Sequence, residues 1–257
     1  MEAILNPALL LFLSGILLGI SFKLILPNSI SKYLGYYLLL SLGLKGGSSL
    51  QENGFINDVI SALTLGVIFA LLIPIIAYFY LKNLLNNDDA AALSGTYGSV
   101  SAVTFVTAIA YLSTTGQEYD NYMSAVLVVM EFPAIFMALY LVTHNKQNKS
   151  NNLDTIKTAF LEIPNIILIS SLLIGYFVNK AILSNLDFII VEIFDYVLYL
   201  FLFVMGTRVA KRIGELKGKG KNLIAFALCT PLIGSFIALL ASVNFNFQSV
   251  TQHYLWC

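Results

Sequence analysis

Long apolar segments alternate with short polar connections along almost the whole chain. A membrane-spanning helix needs about 20 predominantly apolar residues, and lipid offers its backbone no hydrogen-bond partner outside the helix itself. Eight apolar windows are consistent with this length: residues 4–22, 30–44, 55–81, 91–112, 122–142, 161–179, 188–206 and 222–243. The pattern predicts an all-α polytopic membrane protein, with these windows as spans one to eight.

Composition supports this class and excludes two others. Of 257 residues, 58% are hydrophobic and 11% are charged, against roughly 45–50% and about 25% in soluble domains. Fourteen Lys and Arg balance fourteen Asp and Glu, so the chain has no basic field for nucleic acid. Its two cysteines, Cys229 and Cys257, are too few for a disulfide framework or a four-ligand zinc site.

The distribution of Lys and Arg predicts the orientation of the spans. If the connections after spans one, three, five and seven face the cytoplasm, they hold twelve of the fourteen basic residues, leaving Lys45 and Lys180 outside. Cytoplasmic connections are enriched in Lys and Arg. We therefore expect a multi-pass protein of the plasma (inner) membrane with its N-terminus outside. The polar, Asn-rich residues 144–160 are predicted to be the longest cytoplasmic linker.

The two sides of that linker resemble each other. Residues 14–19 of span one resemble 170–175 of span six, and four positions of span two have counterparts at equal spacing in span seven. The pairs are Tyr33 with Tyr196, Tyr36 with Tyr199, Gly43 with Gly206, and Lys45 with Arg208. Copies five spans apart insert with opposite polarity, as in secondary transporters. We predict a first inverted repeat at 1–143 and a second at 161–257; chance similarity between apolar helices is the alternative.

The second repeat is shorter than the first. Spans one to five should recur as six to ten, yet the residues after span eight are too few for two more crossings. The expectation is therefore eight transmembrane helices of ten, with an incomplete second repeat. Either the chain is a truncated or frame-shifted product, which would make it a nonfunctional fragment, or a partner chain completes it.

Span four has the composition of a broken helix. Residues 94–104 contain two glycines and five Ser or Thr, where a lipid-facing helix would carry Leu and Val. A break exposes N–H groups that attract an anion and carbonyls that coordinate Na⁺. The candidate anion-binding residues are Gly98, Ser99, Ser101 and Thr104. Close packing of helices through small residues is the alternative.

Glu131 lies in the middle of span five, two residues before Pro133. An ionisable group at that depth costs about 2.5–3.5 kcal/mol on insertion scales and is expected to face a cavity, a cation or a hydrogen-bonding partner. We predict that Glu131 serves the coupling ion together with Ser99 and Ser101. A neutral, hydrogen-bonded structural role is the alternative. Pro231, in span eight, is predicted only to bend its helix.

Motifs of catalysis are missing from the sequence. It contains no nucleophile elbow, P-loop or HExxH, which favours a transporter over an enzyme. A membrane sensor or interaction protein that docks partners through the basic loop at 208–221 is a further alternative, although such a loop is more often only a topology signal.

Four motifs occur in order on these spans: the Gly43-Leu44-Lys45-Gly46-Gly47 turn after span two, residues 97–101 with Thr104, the step Glu131-Phe132-Pro133-Ala134, and Met205-Gly206 leading into 212–216. Together they resemble the sodium-dependent bicarbonate permeases first known from cyanobacteria.

The resemblance implies ten helices in two inverted five-helix repeats that form a core domain and a gate domain. It implies a symporter that imports bicarbonate with Na⁺ as coupling ion and no other cofactor. It also implies a trimer and, in the cyanobacterial members, inhibition by a PII-like regulatory protein. By position, the family's anion and Na⁺ sites correspond to Gly98, Ser99, Ser101 and Thr104, and Glu131 stands where the family commonly has Asp.

Overall fold

The computed structural model describes residues 7–24, 26–101, 104–105, 108–109, 112, 119–144, 161–186, 188–216 and 220–244. All regular secondary structure in these residues is helical. The predicted linker at 144–160, apart from His144, and the chain after Asn244 lie outside the described residues. The predictions made for these two segments therefore stay predictions.

Nine α-helices are numbered here in chain order within the described residues. They are α1 (Pro7–Phe22), α2 (Asn28–Asn53), α3 (Asn57–Leu81), α4 (Asn87–Gly95), α5 (Met123–His144), α6 (Ile163–Phe177), α7 (Lys180–Leu183), α8 (Ile193–Arg212) and α9 (Gly220–Asn244). A 3₁₀ turn at Ser184–Leu186 and a π-helical turn at Phe188–Glu192 lead into α8, and a 3₁₀ turn at Ile213–Leu216 follows it.

Four segments in the described part of the chain are long and apolar enough to cross a membrane. They are Asn57–Leu81, Met123–Val142, Phe188–Arg212 and Lys221–Ala241. Pro7–Phe22 and Ile163–Phe177 are shorter apolar helices. Many of the large apolar side chains on these helices are exposed, with Leu17 at 64% and Leu232 at 71%. The prediction of an all-helical polytopic membrane protein is confirmed, whereas the number of eight spans and the inverted repeat stay predictions.

A scaffold bundle is formed by α1, α2, α6 and α8. In it α1 packs on α8, α2 packs on α6, and α2 also contacts α8. Glycines allow the backbones to touch. A Cβ on Gly15 of α1 would meet the Phe203 carbonyl and Gly206 of α8, and a Cβ on Gly43 of α2 would meet Ser171 of α6. Small residues at such crossings are the usual means of close helix packing in membranes.

A site bundle is formed by α3, α4, α5 and α9. The helix α5 packs on both α3 and α4, and a buried apolar cluster that includes Leu81, Ala91 and Leu141 joins these three helices to Phe226 of α9. The Phe226 ring stacks on Tyr80 at 5.5 Å between centroids. This aromatic contact fixes the beginning of α9 against the end of α3.

The two bundles meet mainly where α2 contacts α5. At this boundary a Cβ on Gly46 would lie 3.2 Å from the Cα of Ala125, and the Ser124 hydroxyl is 3.4 Å from the Ser49 hydroxyl. Large apolar side chains also cross this boundary, because one buried cluster includes Leu42 and Leu50 of α2 together with Val126 and Val128 of α5.

The predicted turn at Gly43–Gly47 is wrong, because α2 remains helical from Asn28 to Asn53. Glycines usually favour a turn, but here Gly43 and Gly47 face α6 so closely that a side chain would not fit. Packing between helices explains these glycines instead. As a result Lys45 lies within a helix and not in a connection between spans.

Two cations connect α2 and α8 at opposite ends. The Lys45 ammonium, late in α2, lies 4.5 Å from the ring centroid of Phe194, early in α8. The Arg208 guanidinium, late in α8, donates to the Asn28 carbonyl at 3.2 Å and to the Asn28 side-chain oxygen at 3.0 Å, early in α2. The two helices are therefore antiparallel.

Candidate functional site

The helix of span four ends at Gly95. The N–H groups of Thr96, Tyr97 and Gly98 donate three residues back, at 3.1–3.2 Å, to the carbonyls of residues 93–95, which tightens the last turn. Residues 100 and 101 have no regular structure, and helical conformation returns at Thr104 and Phe105. The Phe105 N–H donates to the Ser101 carbonyl at 3.0 Å, so Ser101 stands at the beginning of the second segment.

A cavity of about 350 Å³ lies beside this irregular stretch. Its walls come from the middle of α3, the stretch itself, α5 and α9. The cavity contains four of the five candidate residues: Ser99, Ser101, Thr104 and Glu131. Groups separated by some 30 residues in the chain therefore share one space near the middle of the apolar helices.

Gly98 does not line this cavity. It is buried, and a Cβ built on it would lie 2.6 Å from Cγ of Pro74 and 2.7 Å from Cβ of Ala134. The residue therefore lets the irregular stretch approach α3 and α5 closely. Its place in the structure is that of a packing residue beside the cavity.

Glu131 is the acidic group of the cavity. Its carboxylate accepts a hydrogen bond from the Ser99 side chain, and its side chain is half-buried. A second cavity of about 530 Å³ shares Thr96, Ser99 and Glu131 with the first and is otherwise lined by apolar and small residues of α4 and α5. Glu131 and Ser99 therefore line both cavities.

Residues of α9 that the sequence analysis did not assign to the site form its fourth wall. They are Thr230, Pro231, Gly234, Ser235 and Ala238. Pro231 was predicted only to bend its helix, yet it too lines the cavity. Thr230-Pro231 followed by Gly234-Ser235 is a polar and helix-weakening cluster within an apolar run. This cluster is the sequence feature that could have indicated a role for α9 in the site.

The described lining of the two cavities includes one carboxyl group, that of Glu131. Neither cavity has Lys, Arg or His among its described lining residues, so Glu131 faces hydroxyl groups without a basic partner from this lining. The part of the chain that the structure describes also contains no cluster of three His, Cys, Asp or Glu that could hold a metal ion. Hydroxyl, carbonyl and carboxylate oxygens are the ligands of hard cations, and they suit Na⁺ better than zinc or copper.

A model of one protein family, the Na⁺-dependent bicarbonate transporter superfamily, matches residues 7–255. The chain belongs to this superfamily. The match spans all nine described helices, and the suspected resemblance to the bicarbonate permeases is confirmed. A comparison with curated proteins found no match.

Membership in the Na⁺-dependent bicarbonate transporter superfamily, together with the apolar helices, identifies a membrane-embedded transporter. In such a protein a cavity lined by hydroxyls and a carboxylate near the middle of the helices is a candidate transport site. Secondary transporters bind substrates and coupling ions at broken helices in this position.

Proposed function

We propose that this protein is a symporter that imports bicarbonate, or a similar small anion, together with Na⁺ across the plasma membrane. The observation that carries the proposal is the shared cavity, in which Ser99, Ser101 and Thr104 of the broken span face Glu131 of α5. The hydroxyls supply donors for an anion, and the carboxylate supplies a ligand for a cation.

In this proposal the charges in the cavity couple the binding of the anion to the binding of Na⁺. An anion entering alone would be repelled by the Glu131 carboxylate, and no basic residue of the described lining offsets that charge. A Na⁺ ion held by Glu131, Ser99 and Ser101 compensates the carboxylate and permits the anion to bind beside it. Charges interact strongly in a site that excludes water, so the anion binds well only after Na⁺.

Two symmetric contacts support the proposed inverted repeat. Aligning residues 14–19 with 170–175 pairs Gly15 with Ser171, and the same repeat pairs Gly43 with Gly206. In the scaffold bundle Gly15 faces Gly206 and Ser171 faces Gly43, so each contact is the repeat counterpart of the other. We propose that the scaffold bundle acts as the gate domain and the site bundle as the core domain that moves against it.

The first test measures uptake of labelled bicarbonate by the full chain reconstituted in liposomes, with a Na⁺ gradient or a K⁺ gradient. We expect uptake only with Na⁺. Glu131→Gln keeps the size of the side chain but removes its charge, so it should lower Na⁺-driven uptake at least tenfold. Equal uptake with Na⁺ and K⁺ by the unaltered protein would contradict the coupling.

A second test addresses the anion site. Ser101→Leu places a bulky apolar side chain at the beginning of the second segment and should abolish uptake. Ser170→Leu is the matched control, because Ser170 is exposed and its hydroxyl donates to the Ile167 carbonyl at 3.1 Å within α6. Unchanged uptake by the Ser101 variant would indicate that the irregular stretch serves helix packing and not anion binding.

The outside N-terminus, the trimer and a PII-like regulatory partner stay predictions from the charge pattern and the family resemblance. Labelling of introduced surface cysteines tests the orientation, and mass measurement in detergent tests the number of copies.

A further inference from the structure

The orientation of α9 is fixed by residues that recur every fourth position. Phe226, Thr230, Gly234 and Ala238 lie on one face, since residues four apart are neighbours on a helix surface. Phe226 and Ala238 are buried, with 7% and 2% of their surface exposed. The two residues between them, Thr230 and Gly234, line the cavity. The large side chains on the opposite side of α9, such as Leu232 and Phe236, are exposed.

An aromatic contact fixes this face against the broken span. The Phe226 ring meets Tyr97 edge-to-face at 5.1 Å between centroids, and Tyr97 itself belongs to the irregular stretch that lines the cavity. Thr230 lies one helical turn beyond Phe226. Thr230 therefore lines the same cavity as Ser99, Ser101 and Thr104, but from a different helix.

The Thr230 hydroxyl differs from most hydroxyls of the apolar helices. Ser and Thr in helices commonly donate to a carbonyl three or four residues earlier. Such hydrogen bonds are made by Ser14, Thr64, Ser94, Ser171, Thr207 and Ser235. In the part of the chain that the structure describes, no hydrogen bond joins the Thr230 side chain to another residue. Since Thr230 lines the cavity, this hydroxyl is available to a ligand there.

Ser235 gives the contrast on the same helix. It also lines the cavity, but its hydroxyl donates to the Pro231 carbonyl at 2.7 Å. Its proton is therefore already used, whereas the proton of Thr230 is available to a ligand. Gly234, between them, leaves room, because a Cβ built on it would meet nothing within 4 Å.

We propose that Thr230 donates a hydrogen bond to the transported oxyanion from the wall opposite the broken span. The anion is then held from two sides, by Ser101 and Thr104 at the beginning of the second segment and by Thr230 of α9. This inference rests on the proposed function, and it adds α9 to an anion site that the sequence placed on span four alone.

The experiment is liposome uptake by the full chain, with bicarbonate varied at saturating Na⁺ and Na⁺ varied at saturating bicarbonate. Thr230→Val replaces the hydroxyl by a methyl group of similar size. A lost hydrogen bond to a charged ligand corresponds to a factor of about ten or more in affinity. We expect the KM for bicarbonate to rise about tenfold, with an unchanged half-saturating Na⁺ concentration.

Two controls separate this role from a structural one. Thr230→Ser keeps a donor and should remain within about twofold of the unaltered protein. Thr64→Val removes a hydroxyl that is exposed and donates to the Ile60 carbonyl at 2.7 Å, and it should leave both KM values unchanged. If Thr230→Val does not fold, Thr230→Ala carries the same expectation.

The outcomes distinguish the two proposals. A Thr230→Val protein with unaltered KM for bicarbonate, or with a change in the Na⁺ dependence instead, overturns the role of Thr230 and leaves the proposed function intact. Absence of Na⁺-dependent bicarbonate uptake by the unaltered protein overturns both.

Discussion

Glycine has opposite surroundings in the scaffold bundle and in the cavity. A Cβ on Gly47 of α2 would lie 2.6 Å from the Tyr176 nitrogen and 2.8 Å from the Gly175 carbonyl carbon, both backbone atoms of α6. A Cβ on Gly234 of α9 would meet nothing within 4 Å. The same residue type therefore permits close packing in one region and keeps a space open in the other. Substituting each glycine by a larger residue therefore tests which of the two roles it has.

The largest effect is expected from Gly47→Ala. The added methyl group overlaps the backbone of α6, which has no rotamer to change, and overpacking of a close-packed interface costs about 1–3 kcal/mol or more. Thermal unfolding in detergent should show a marked loss of stability. Gly35→Ala, on the same helix, is the control, because its nearest neighbour is Cε2 of Phe201 at 3.7 Å. Equal stability of the two variants would contradict the tight α2–α6 crossing.

A smaller and different effect is expected from Gly234→Leu. A Cβ on Gly234 meets nothing within 4 Å and the residue lines the cavity, so we expect folding to be preserved while uptake of bicarbonate falls at least tenfold. Gly214→Leu is the matched control, since a Cβ on Gly214, in the 3₁₀ turn after α8, also meets nothing within 4 Å. Normal uptake by the Gly234 variant would show that this space is not on the transport route.

The smallest effect is expected from Lys45→Met. The ammonium lies 4.5 Å from the Phe194 ring centroid. Cation–π contacts of this kind contribute about 0.5–1 kcal/mol. Thermal unfolding should show a loss of that size. Lys32→Met is the control, because Lys32 is exposed and its ammonium lies 5.7 Å from the Tyr36 ring. A larger loss from the Lys32 variant would reverse this ranking.

The sequence was most informative where one physical rule dominates. Apolar length alone indicated the helices, because lipid leaves the backbone no other solution. The density of hydroxyls in residues 94–104 led to Ser99, Ser101 and Thr104, and the isolated charge led to Glu131; the structure places all four in one cavity.

The features that the sequence did not predict depend on contacts between distant segments of the chain. Whether the glycines around Lys45 make a turn or a crossing is decided by α6, more than 100 residues later in the chain. Gly98 lies in the same glycine- and hydroxyl-rich stretch as the cavity residues, so the sequence assigned it to the site with them. In the structure it packs against Pro74 and Ala134 instead. Thr230 belongs to a short polar cluster in the apolar helix α9, but only the packing of Phe226 against Tyr97 shows that this cluster reaches the cavity.

The scaffold bundle and the site bundle meet through close backbone contact and through a shared apolar core. Gly46 presents backbone to Ala125, and a hydroxyl pair at 3.4 Å, Ser124 with Ser49, is a weak link between them. Apolar side chains such as Leu42 and Val126 belong to one buried cluster across this boundary, and the burial of apolar surface is non-directional. A movement of the site bundle such as we propose must therefore keep that apolar surface covered, which favours sliding along the boundary over separation of the two bundles.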